Sequence, residues 1–219
     1  MFKENRTALI TGASGMDGTY LTDLLLNEGY QVIGITRKPP IHPRSKVTYA
    51  HWDFQTASEP DMAAILRRYR PSHIFHLAAV SSSVVASSRP DETLLTNVGG
   101  TTKLMNAVLQ SVPDSRFLFV SSSGIFGPPA LESPQTERTP MVDTARPYAL
   151  SKILAHRKVW EYREKYGLCA SVAITYNHEG PTRSINFITG KIAKAAALIS
   201  SGINYLCKLF RRKRKPACC

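Results

Sequence analysis

Apolar runs rich in β-branched residues alternate along the chain with longer segments in which apolar residues recur at helical spacing. This alternation is typical of a parallel β-sheet that is covered by helices on both faces. The apolar runs predict six strands, at residues 6–11, 31–36, 47–51, 72–77, 116–121 and 169–175. The longer segments predict helices at residues 18–27, 61–68, 92–110 and 148–166, and one more after Asn186. The pattern therefore predicts a doubly wound α/β domain.

Length and composition agree with one such domain. At 219 residues the chain can bury a sizeable core, with room for at most a second small lobe. The content of 43% hydrophobic and 20% charged residues excludes a disordered or fibrous chain. The Pro-, Ser- and Thr-rich stretch at residues 127–146 predicts a long loop, of the kind that often borders an active site. The short apolar stretch near the N-terminus predicts neither a signal peptide nor a membrane-spanning helix.

The formal net charge of +12 is concentrated near the C-terminus. Residues 208–215 carry six basic side chains, so the remainder carries +6, which suits a protein that binds polyphosphate ligands and does not indicate nucleic-acid binding. The four cysteines show no CxxC spacing, and no histidine lies close to them in sequence. We therefore expect neither a metal site nor a disulfide framework, and a reducing cytoplasm fits this composition.

A glycine-rich turn follows the first predicted strand directly. Residues 11–18 read TGASGMDG and lead into the first predicted helix. Gly12, Gly15 and Gly18 allow a tight turn, close approach of the backbone to a pyrophosphate and close packing of helix on strand. The helix start, with Met16 and Asp17, presents backbone N–H groups that favour anionic phosphates. This context predicts a dinucleotide-binding Rossmann domain.

The end of the second predicted strand indicates which dinucleotide is bound. Folds specific for NAD usually carry an acidic residue here for the ribose hydroxyls, whereas this chain has Arg37 and Lys38. Both side chains can pair with the 2′-phosphate of NADP, the guanidinium in bidentate fashion. We therefore expect NADP rather than NAD, and the alternative is that both are solvated surface charges.

Tyr148 and Lys152 stand four residues apart in a strongly helical segment, so their side chains share one helix face. A phenol has an ordinary pKa of about 10 and acts as an acid or base at neutral pH only when a nearby positive charge stabilises the phenolate. Ser122, after the fifth predicted strand, supplies a hydroxyl that can hold a reacting substrate oxygen. Together with the glycine turn, this order predicts hydride transfer with a nicotinamide cofactor at an alcohol or ketone carbon.

These motifs resemble the extended short-chain dehydrogenase/reductases, which include the NAD-dependent epimerases and dehydratases. Within them the chain is most similar to the GDP-mannose 4,6-dehydratases over residues 7–202. The resemblance rests on TGASGMDGTYL at 11–21, HLAAVSS at 76–82, SSSGIFG at 121–127, RPYALSK at 146–152 and YNHEGPTRSINFITGKI at 176–192. It implies a nucleotide-sugar enzyme with lyase activity on GDP-mannose, and a homodimer or tetramer.

The resemblance also implies further site residues. Asp53 and Phe54 would lie near the adenine, and the segment after the fourth strand would line the cofactor through Leu77, Ala78, Ala79 and Ser81. His178 and Arg183 would complete the NADP site. Ser82 and Asn177 would contact the sugar nucleotide, and Lys191 would contact the guanine.

Gly124 departs from the family pattern. The dehydratases carry a glutamate at this place, two residues after the catalytic hydroxyl, to take the C5 proton and assist loss of water from C6. Glycine can do neither. The 4-epimerases, and the reductases that act on 4-ketosugars, need only the serine, tyrosine and lysine. Reduction and epimerisation at C4 therefore remain alternatives to dehydration.

The C-terminal sequence is the second departure. The family continues into a substrate-binding lobe, whereas here we expect residues 1–203 to form the cofactor domain with the start of a substrate region, and residues 204–219 to form a basic tail ending in Cys-Cys. With that lobe largely missing, the alternative to an enzyme is an inactive nucleotide-binding relative. The tail would then bind a membrane surface or a partner. The tail has other interpretations, as a nuclear address, a nucleic-acid patch or a solvated segment left by truncation, and the last is the simplest.

Overall fold

The computed structural model describes residues 6–40, 42–128 and 134–202. Within these residues the strands form one parallel sheet in the order β3-β2-β1-β4-β5-β6. The strands are β1 (Thr7–Thr11), β2 (Gln31–Thr36), β3 (Val47–His51), β4 (His73–His76), β5 (Arg116–Val120) and β6 (Ala170–Ala173). Chain order reverses between β1 and β4, which pair directly with Thr11 opposite His76. In open α/β sheets, ligands bind at such a reversal, beyond the carboxyl ends of the strands.

All six predicted strands are present, and their ends differ from the prediction by at most two residues. The predicted and observed strand ends differ where the regular hydrogen bonds between neighbouring strands end. Ser72 N–H still donates to Thr7 O at 2.8 Å, and Leu77 N–H to Thr11 O at 3.3 Å, although neither residue belongs to β4. The apolar run at residues 72–77 therefore includes β4 and the two residues next to it that still form backbone hydrogen bonds to the neighbouring chain segments.

The helices confirm four of the predicted segments and divide the fifth. They are α1 (Met16–Asn27), α2 (Glu59–Tyr69), α3 (Ser83–Ser88), α4 (Pro90–Leu94), a π-helical turn (Leu95–Gly99), α5 (Gly100–Ser111), a 3₁₀ turn (Ser123–Phe126), α6 (Pro147–Tyr166) and α7 (Ile188–Ser200). Where residues 127–146 are described they form neither helix nor strand, as predicted. In the described part of the chain, no helix is both long enough and apolar enough to cross a membrane.

The predicted helix at 92–110 was wrong in its start and in its regularity. Pro90 begins α4 because it suits the first helical turn, and α3 is a separate short helix that the pattern did not predict. The helix then widens at Asn97, whose side chain accepts from Val80 N–H at 2.8 Å and donates to Val80 O at 3.2 Å. An irregular turn of this kind is common at functional sites.

Helices cover both faces of the sheet because side chains alternate along each strand. Ala8 and Ile10 of β1 pack with Leu25 of α1 on one face. Leu9 lies in a larger cluster on the other face with Leu66 of α2, Leu104 of α5 and Val159 of α6. This is the doubly wound arrangement that the sequence predicts.

Tertiary contacts divide the chain after Tyr176, and the second unit begins at Asn177 with α7 as its helix. The predicted boundary between residues 203 and 204 falls at the end of the described residues and stays a prediction. The predicted basic tail at 204–219 lies outside them.

His76 is a buried polar residue at the end of β4. Its Nδ1 lies 2.7 Å from Thr11 Oγ1 and its Nε2 lies 2.9 Å from Thr101 Oγ1. Thr11 Oγ1 accepts from Ala78 N–H and Thr101 Oγ1 donates to Asn97 O, so the network needs Nδ1 as acceptor and Nε2–H as donor. Burial, and secondarily the positive charge of Lys152, lowers the pKa of His76 to about 3. The imidazole is therefore neutral at physiological pH.

The titration of His76 predicts acid sensitivity. The unfolded chain binds this proton near pH 6.5 and the folded chain only near pH 3, so unfolding takes up a proton between those values and stability falls as the pH drops through them. We expect a loss of up to about 1.4 kcal/mol per pH unit from this group. In His76→Gln, urea unfolding followed between about pH 7 and about pH 5 should show a shallower loss of stability than the original chain. His51→Gln, at the exposed end of β3, is the control. Equal slopes in the original chain and His76→Gln would contradict this assignment.

Candidate active site

The glycine turn between β1 and α1 has the shape that the sequence predicts. Gly12 adopts φ +73°, a conformation that favours glycine, and a Cβ there would lie 3.0 Å from Ala78 N. Gly15 N–H closes the turn by donating to Gly12 O at 2.9 Å. Gly12 therefore allows the turn to pass close to the backbone that follows β4.

Gly18 and the start of α1 complete the turn. A Cβ at Gly18 would overlap Gly12 O and lie 2.7 Å from Ala13 Cα, so only glycine lets the helix pack this closely on the turn. Met16 and Asp17 form the first helical turn after Gly15. Among the described residues, no side chain caps this helix start by a hydrogen bond. Its backbone N–H groups are therefore suited to an anionic ligand.

Arg37 and Lys38 directly follow β2 and are exposed. The pKa of Glu92 in α4 is lowered first by a hydrogen bond from Gln55 and further by the positive charges of Arg89 and Arg37. Arg37 is thus close enough to α4 for its positive charge to lower the pKa of the Glu92 carboxyl. The pair of cations lies at the carboxyl edge of the sheet, as the sequence predicts.

Asp53 and Phe54 follow β3 but have different surroundings. The Asp53 carboxylate is half-buried and accepts from Gln55 N–H at 2.9 Å. The Phe54 ring is buried and stacks on His76 with 5.2 Å between ring centroids. A Cβ at Gly100 would lie 2.5 Å from this ring, so α5 packs directly on it. The Phe54 side chain is therefore part of the core, and any contact with an adenine would have to come from its backbone.

The segment after β4 runs beside the glycine turn. Ala78 N–H donates to Thr11 Oγ1 at 3.1 Å, which ties this segment to the end of β1. Leu77, Ala78 and Ala79 are half-buried, whereas Ser81 is exposed. Ser82 caps α3, where its hydroxyl accepts from Val85 N–H at 3.4 Å.

Two polar residues that the sequence pattern did not single out, Asn97 and Ser151, connect these elements. The Asn97 side chain donates to Ser151 Oγ at 2.9 Å, and Ser151 donates to Tyr148 O at 2.7 Å. With His76 and Thr101, they form a buried chain of hydrogen bonds from the glycine turn to α6. The sequence contained a signal for this hydrogen-bonded chain, because Asn97 and Thr101 stand four residues apart, on one helix face, in a segment rich in apolar residues.

Ser122 and the start of α6 lie side by side. Ser122 Oγ accepts from Gly124 N–H at 3.2 Å and caps the 3₁₀ turn. A Cβ at Gly124 would lie 3.4 Å from Ser122 Oγ and 4.0 Å from the Cβ of Ala149, the residue after Tyr148. Ile125 of the same turn packs against Ile153 of α6. The structure thus brings the serine run and the first turn of α6 together.

Lys152 is buried one helical turn beyond Tyr148, and its ammonium donates to Val120 O at 2.8 Å. The ammonium also lies 5.0 Å from the centre of the Phe119 ring. Burial lowers the pKa of Lys152 to about 8. The group is still mainly protonated at neutral pH, and it has three N–H donors, so it can serve a second acceptor besides Val120.

The remaining predicted residues belong to the second unit. Asn177 and His178 are exposed, and Lys191 is exposed in the first turn of α7. The Arg183 guanidinium pairs with Glu179 at 3.2 Å and lies 3.8 Å from the centre of the Phe187 ring. These contacts hold the Arg183 side chain in place, and its predicted role at NADP stays a prediction.

Comparison with known proteins identifies relatives over almost the whole chain. A family model described as GDP-mannose 4,6 dehydratase matches residues 9–215. The GDP-mannose 4,6-dehydratase of Sinorhizobium fredii (strain HH103) is 36% identical over 214 residues, covering 91% of this chain and 60% of its own. GDP-mannose 4,6 dehydratase 2 of Arabidopsis thaliana is 36% identical and is covered over 57% of its length. Among such curated relatives, the chain spans between 38% and 60% of the relative's length.

Solved structures show the same fold. The UDP-glucose 4-epimerase from Thermotoga maritima, solved with UDP-glucose, superposes with a TM-score of 0.79 at 24% identity and covers 90% of this chain and 64% of its own. The dTDP-glucose 4,6-dehydratase from Streptomyces venezuelae, solved with NAD bound, gives a TM-score of 0.72 at 25% identity, with 90% and 62% coverage. The chain thus has the Rossmann-like fold of these enzymes.

The buried ammonium predicts how stability depends on pH. The folded chain releases the Lys152 proton near pH 8 and the unfolded chain near 10.5, so unfolding binds a proton between those values and stability rises with pH across them. Lys152→Met lacks this term. We therefore expect the original chain to gain stability relative to Lys152→Met as the pH rises from about 8 to about 10, measured by urea unfolding.

Lys165→Met, which removes an exposed lysine from the same helix, is the control and should follow the original chain. A constant difference between the original chain and Lys152→Met over this range would contradict the lowered pKa.

Proposed function

Because this chain belongs to the GDP-mannose 4,6-dehydratase family, we propose that it is an NADP-dependent enzyme that modifies a nucleotide sugar, with GDP-mannose as substrate. One observation carries the proposal. The uncapped, glycine-framed start of α1 lies next to the segment after β4, and that segment is joined by buried hydrogen bonds to the helix of Tyr148 and Lys152. Buried hydrogen bonds thus connect the proposed dinucleotide site to the helix of the proposed acid–base pair.

The residues present fit a dinucleotide. Gly12 and Gly18 let the turn pack against Ala78 and Ala13 at distances that a side chain would prevent, and the helix start that follows the turn favours a pyrophosphate. Arg37 and Lys38 would pair with the 2′-phosphate, which favours NADP over NAD. Asp53 and the half-buried backbone of Leu77, Ala78 and Ala79 would line the rest of the site. His178 and Arg183 are proposed to contribute from the second unit.

The chemistry of the protein side follows from three residues. When bound, the nicotinamide would exchange a hydride with the sugar carbon that bears the reacting oxygen. Ser122 would donate a hydrogen bond to that oxygen, and Tyr148 would take or return its proton. The Lys152 ammonium would stabilise the Tyr148 phenolate, because a positive charge buried close to a phenol lowers its pKa.

The substrate side rests on Ser82, Asn177 and Lys191, which we propose contact the nucleotide sugar. Ser82 stands at the start of α3, next to the segment proposed to line the cofactor. Since the chain spans at most 60% of the length of these relatives, turnover by the chain as given is itself a proposal. The alternative remains a nucleotide-binding relative that does not turn over substrate.

Gly124 favours a second candidate reaction. A Cβ at this position would be only 3.4 Å from Ser122 Oγ, so a residue here borders the proposed site of the reacting oxygen. Glycine supplies no base to take the C5 proton of a 4-ketosugar. Reduction or epimerisation at C4, which needs no such base, is therefore the alternative to dehydration.

We also propose that the chain pairs with a second copy, as a homodimer or tetramer. Trp160 of α6 and Leu95 of the π-helical turn are 55% and 50% exposed, and α6 packs beside that turn. Large apolar side chains on adjacent helices are suited to an interface.

We propose the reducing cytoplasm as the location of this protein. The exposed thiol of Cys169 fits that environment.

Cofactor specificity tests the basic pair after β2. Lys38→Glu and Arg37→Glu should each weaken NADPH binding by about ten-fold or more, because a carboxylate repels the 2′-phosphate, and should affect NADH much less. Isothermal titration calorimetry measures both affinities. Lys46→Glu makes the same charge change at the opposite edge of the sheet, just before β3, and should leave NADPH affinity nearly unchanged. If the original chain bound neither NADPH nor NADP⁺, the proposed function would be refuted.

Turnover tests the acid–base pair. Incubation with GDP-mannose and NADP⁺, followed by mass spectrometry of the sugar, should show product formation, with loss of water if the chain is a dehydratase. Tyr148→Phe should abolish turnover without changing NADPH affinity, because only the phenolic oxygen is removed. Equal activity in Tyr148→Phe would remove this residue from the mechanism. NADPH consumption with a 4-ketosugar, without loss of water from GDP-mannose, would support the reductase alternative.

A further inference from the structure

Charge is unevenly distributed along the chain. All 16 acidic residues lie at or before Glu179, where 19 basic residues nearly balance them. The last forty residues, 180–219, contain nine basic residues and no acidic one. Of the net charge of +12, this segment therefore carries +9. Such segregation indicates attraction to an anionic surface or polymer.

The described part of this basic segment contains an exposed apolar stripe on α7. Ile188, Ile192 and Ile199 are 72%, 57% and 44% exposed. At 3.6 residues per turn they fall within about 40° of one another around the helix axis. Lys191 and Lys194 lie to one side of this stripe and are also exposed. The helix therefore presents branched apolar side chains flanked by ammonium groups.

We propose that α7 is a docking site for an anionic lipid membrane, and that the basic residues after it in the sequence strengthen this binding through their charge. A helix with this pattern can lie in the plane of the interface, with its apolar stripe among the acyl chains and its lysines at the headgroups. Basic residues close to such a surface each contribute about 1 kcal/mol, which is about a five-fold gain in binding. Beyond the seven residues that follow α7, the sequence carries six further basic residues, at 208–215, whose charge adds to the attraction.

The isoleucine stripe favours lipid over nucleic acid. A phosphate backbone attracts the same basic residues, but it offers exposed isoleucines no apolar environment. A bilayer interface accepts both the stripe and the charges. The two occupants therefore differ in their dependence on the isoleucines, and this difference can be measured. The proposal concerns where the chain docks and is independent of whether it turns over a nucleotide sugar. It does not require Lys191, which we propose above to contact the guanine, because the isoleucine stripe, Lys194 and the basic residues at 208–215 are sufficient for it.

Vesicle flotation with the full chain tests the proposal. The protein is produced in bacteria and kept reduced, so that neither lipid modification nor disulfide formation contributes. Vesicles of phosphatidylcholine alone are compared with vesicles that also contain phosphatidylserine. We expect binding to the anionic vesicles, little binding to the neutral ones, and weaker binding as salt is raised, because exposed charges are screened.

Paired variants separate the two contributions. Ile192→Ser combined with Ile199→Ser should weaken binding to anionic vesicles by about ten-fold, since two partly buried side chains are lost from the interface. Arg211→Gln combined with Arg212→Gln should weaken it by about thirty-fold at low salt. Leu24→Ser combined with Val84→Ser removes two apolar side chains of comparable exposure, 57% and 78%, from the first unit and should bind as the original chain does.

Several outcomes would overturn the proposal. Failure of the original chain to bind anionic vesicles would refute it directly. Vesicle binding that is unaffected by the isoleucine variant would remove α7 from the surface. A single-stranded oligonucleotide provides the third test. If it displaced the vesicles and bound equally well to the original chain and to the isoleucine variant, the basic segment would be assigned to nucleic acid. If light scattering showed a dimer that the isoleucine variant does not form, the isoleucine stripe would be assigned to contact with a second copy of the chain.

Discussion

A directional chain of buried hydrogen bonds holds the candidate active site together. It begins at Ala78 N–H, passes through Thr11, His76 and Thr101 to Asn97 O, and continues from the Asn97 side chain through Ser151 to Tyr148 O. Each polar group has a partner of the opposite kind, which matters because a buried group without one costs about 1–3 kcal/mol. The arrangement requires a neutral His76, and burial ensures that state. The position of the glycine turn relative to the Tyr148 helix is therefore set by chemistry as well as by packing.

The same burial shapes the electrostatics of the site. The Lys152 ammonium lies among apolar groups, which lowers its pKa, and its positive charge contributes to keeping His76 unprotonated. Lys152 follows Tyr148 by one helical turn in α6. Close approach serves a related purpose at the other end of the site, where Gly12 and Gly18 let backbone groups come together at distances that a side chain would prevent.

The two parts of the chain differ in the interactions that they offer. Up to Glu179 acidic and basic residues nearly balance, and the apolar residues are mostly enclosed between sheet and helices. Beyond Glu179 the charge is of one sign, and α7 exposes isoleucines. The first part therefore offers enclosure and exact distances. The second part offers charge density and exposed apolar area.

The sequence by itself determined the six strands, the doubly wound class and the glycine turn, because alternation of apolar residues and the need for φ > 0 at Gly12 are local properties. It also placed Ser122, Tyr148 and Lys152 correctly at the end of β5 and on α6, since strand ends and a spacing of four are local as well. Tertiary structure alone decided that the Phe54 ring lies in the core against His76, that Pro90 and Asn97 divide the predicted helix at 92–110, and that Asn97 reaches Ser151 across 54 residues. These outcomes depend on which polar groups meet once the elements pack, and that information is not contained in any single segment.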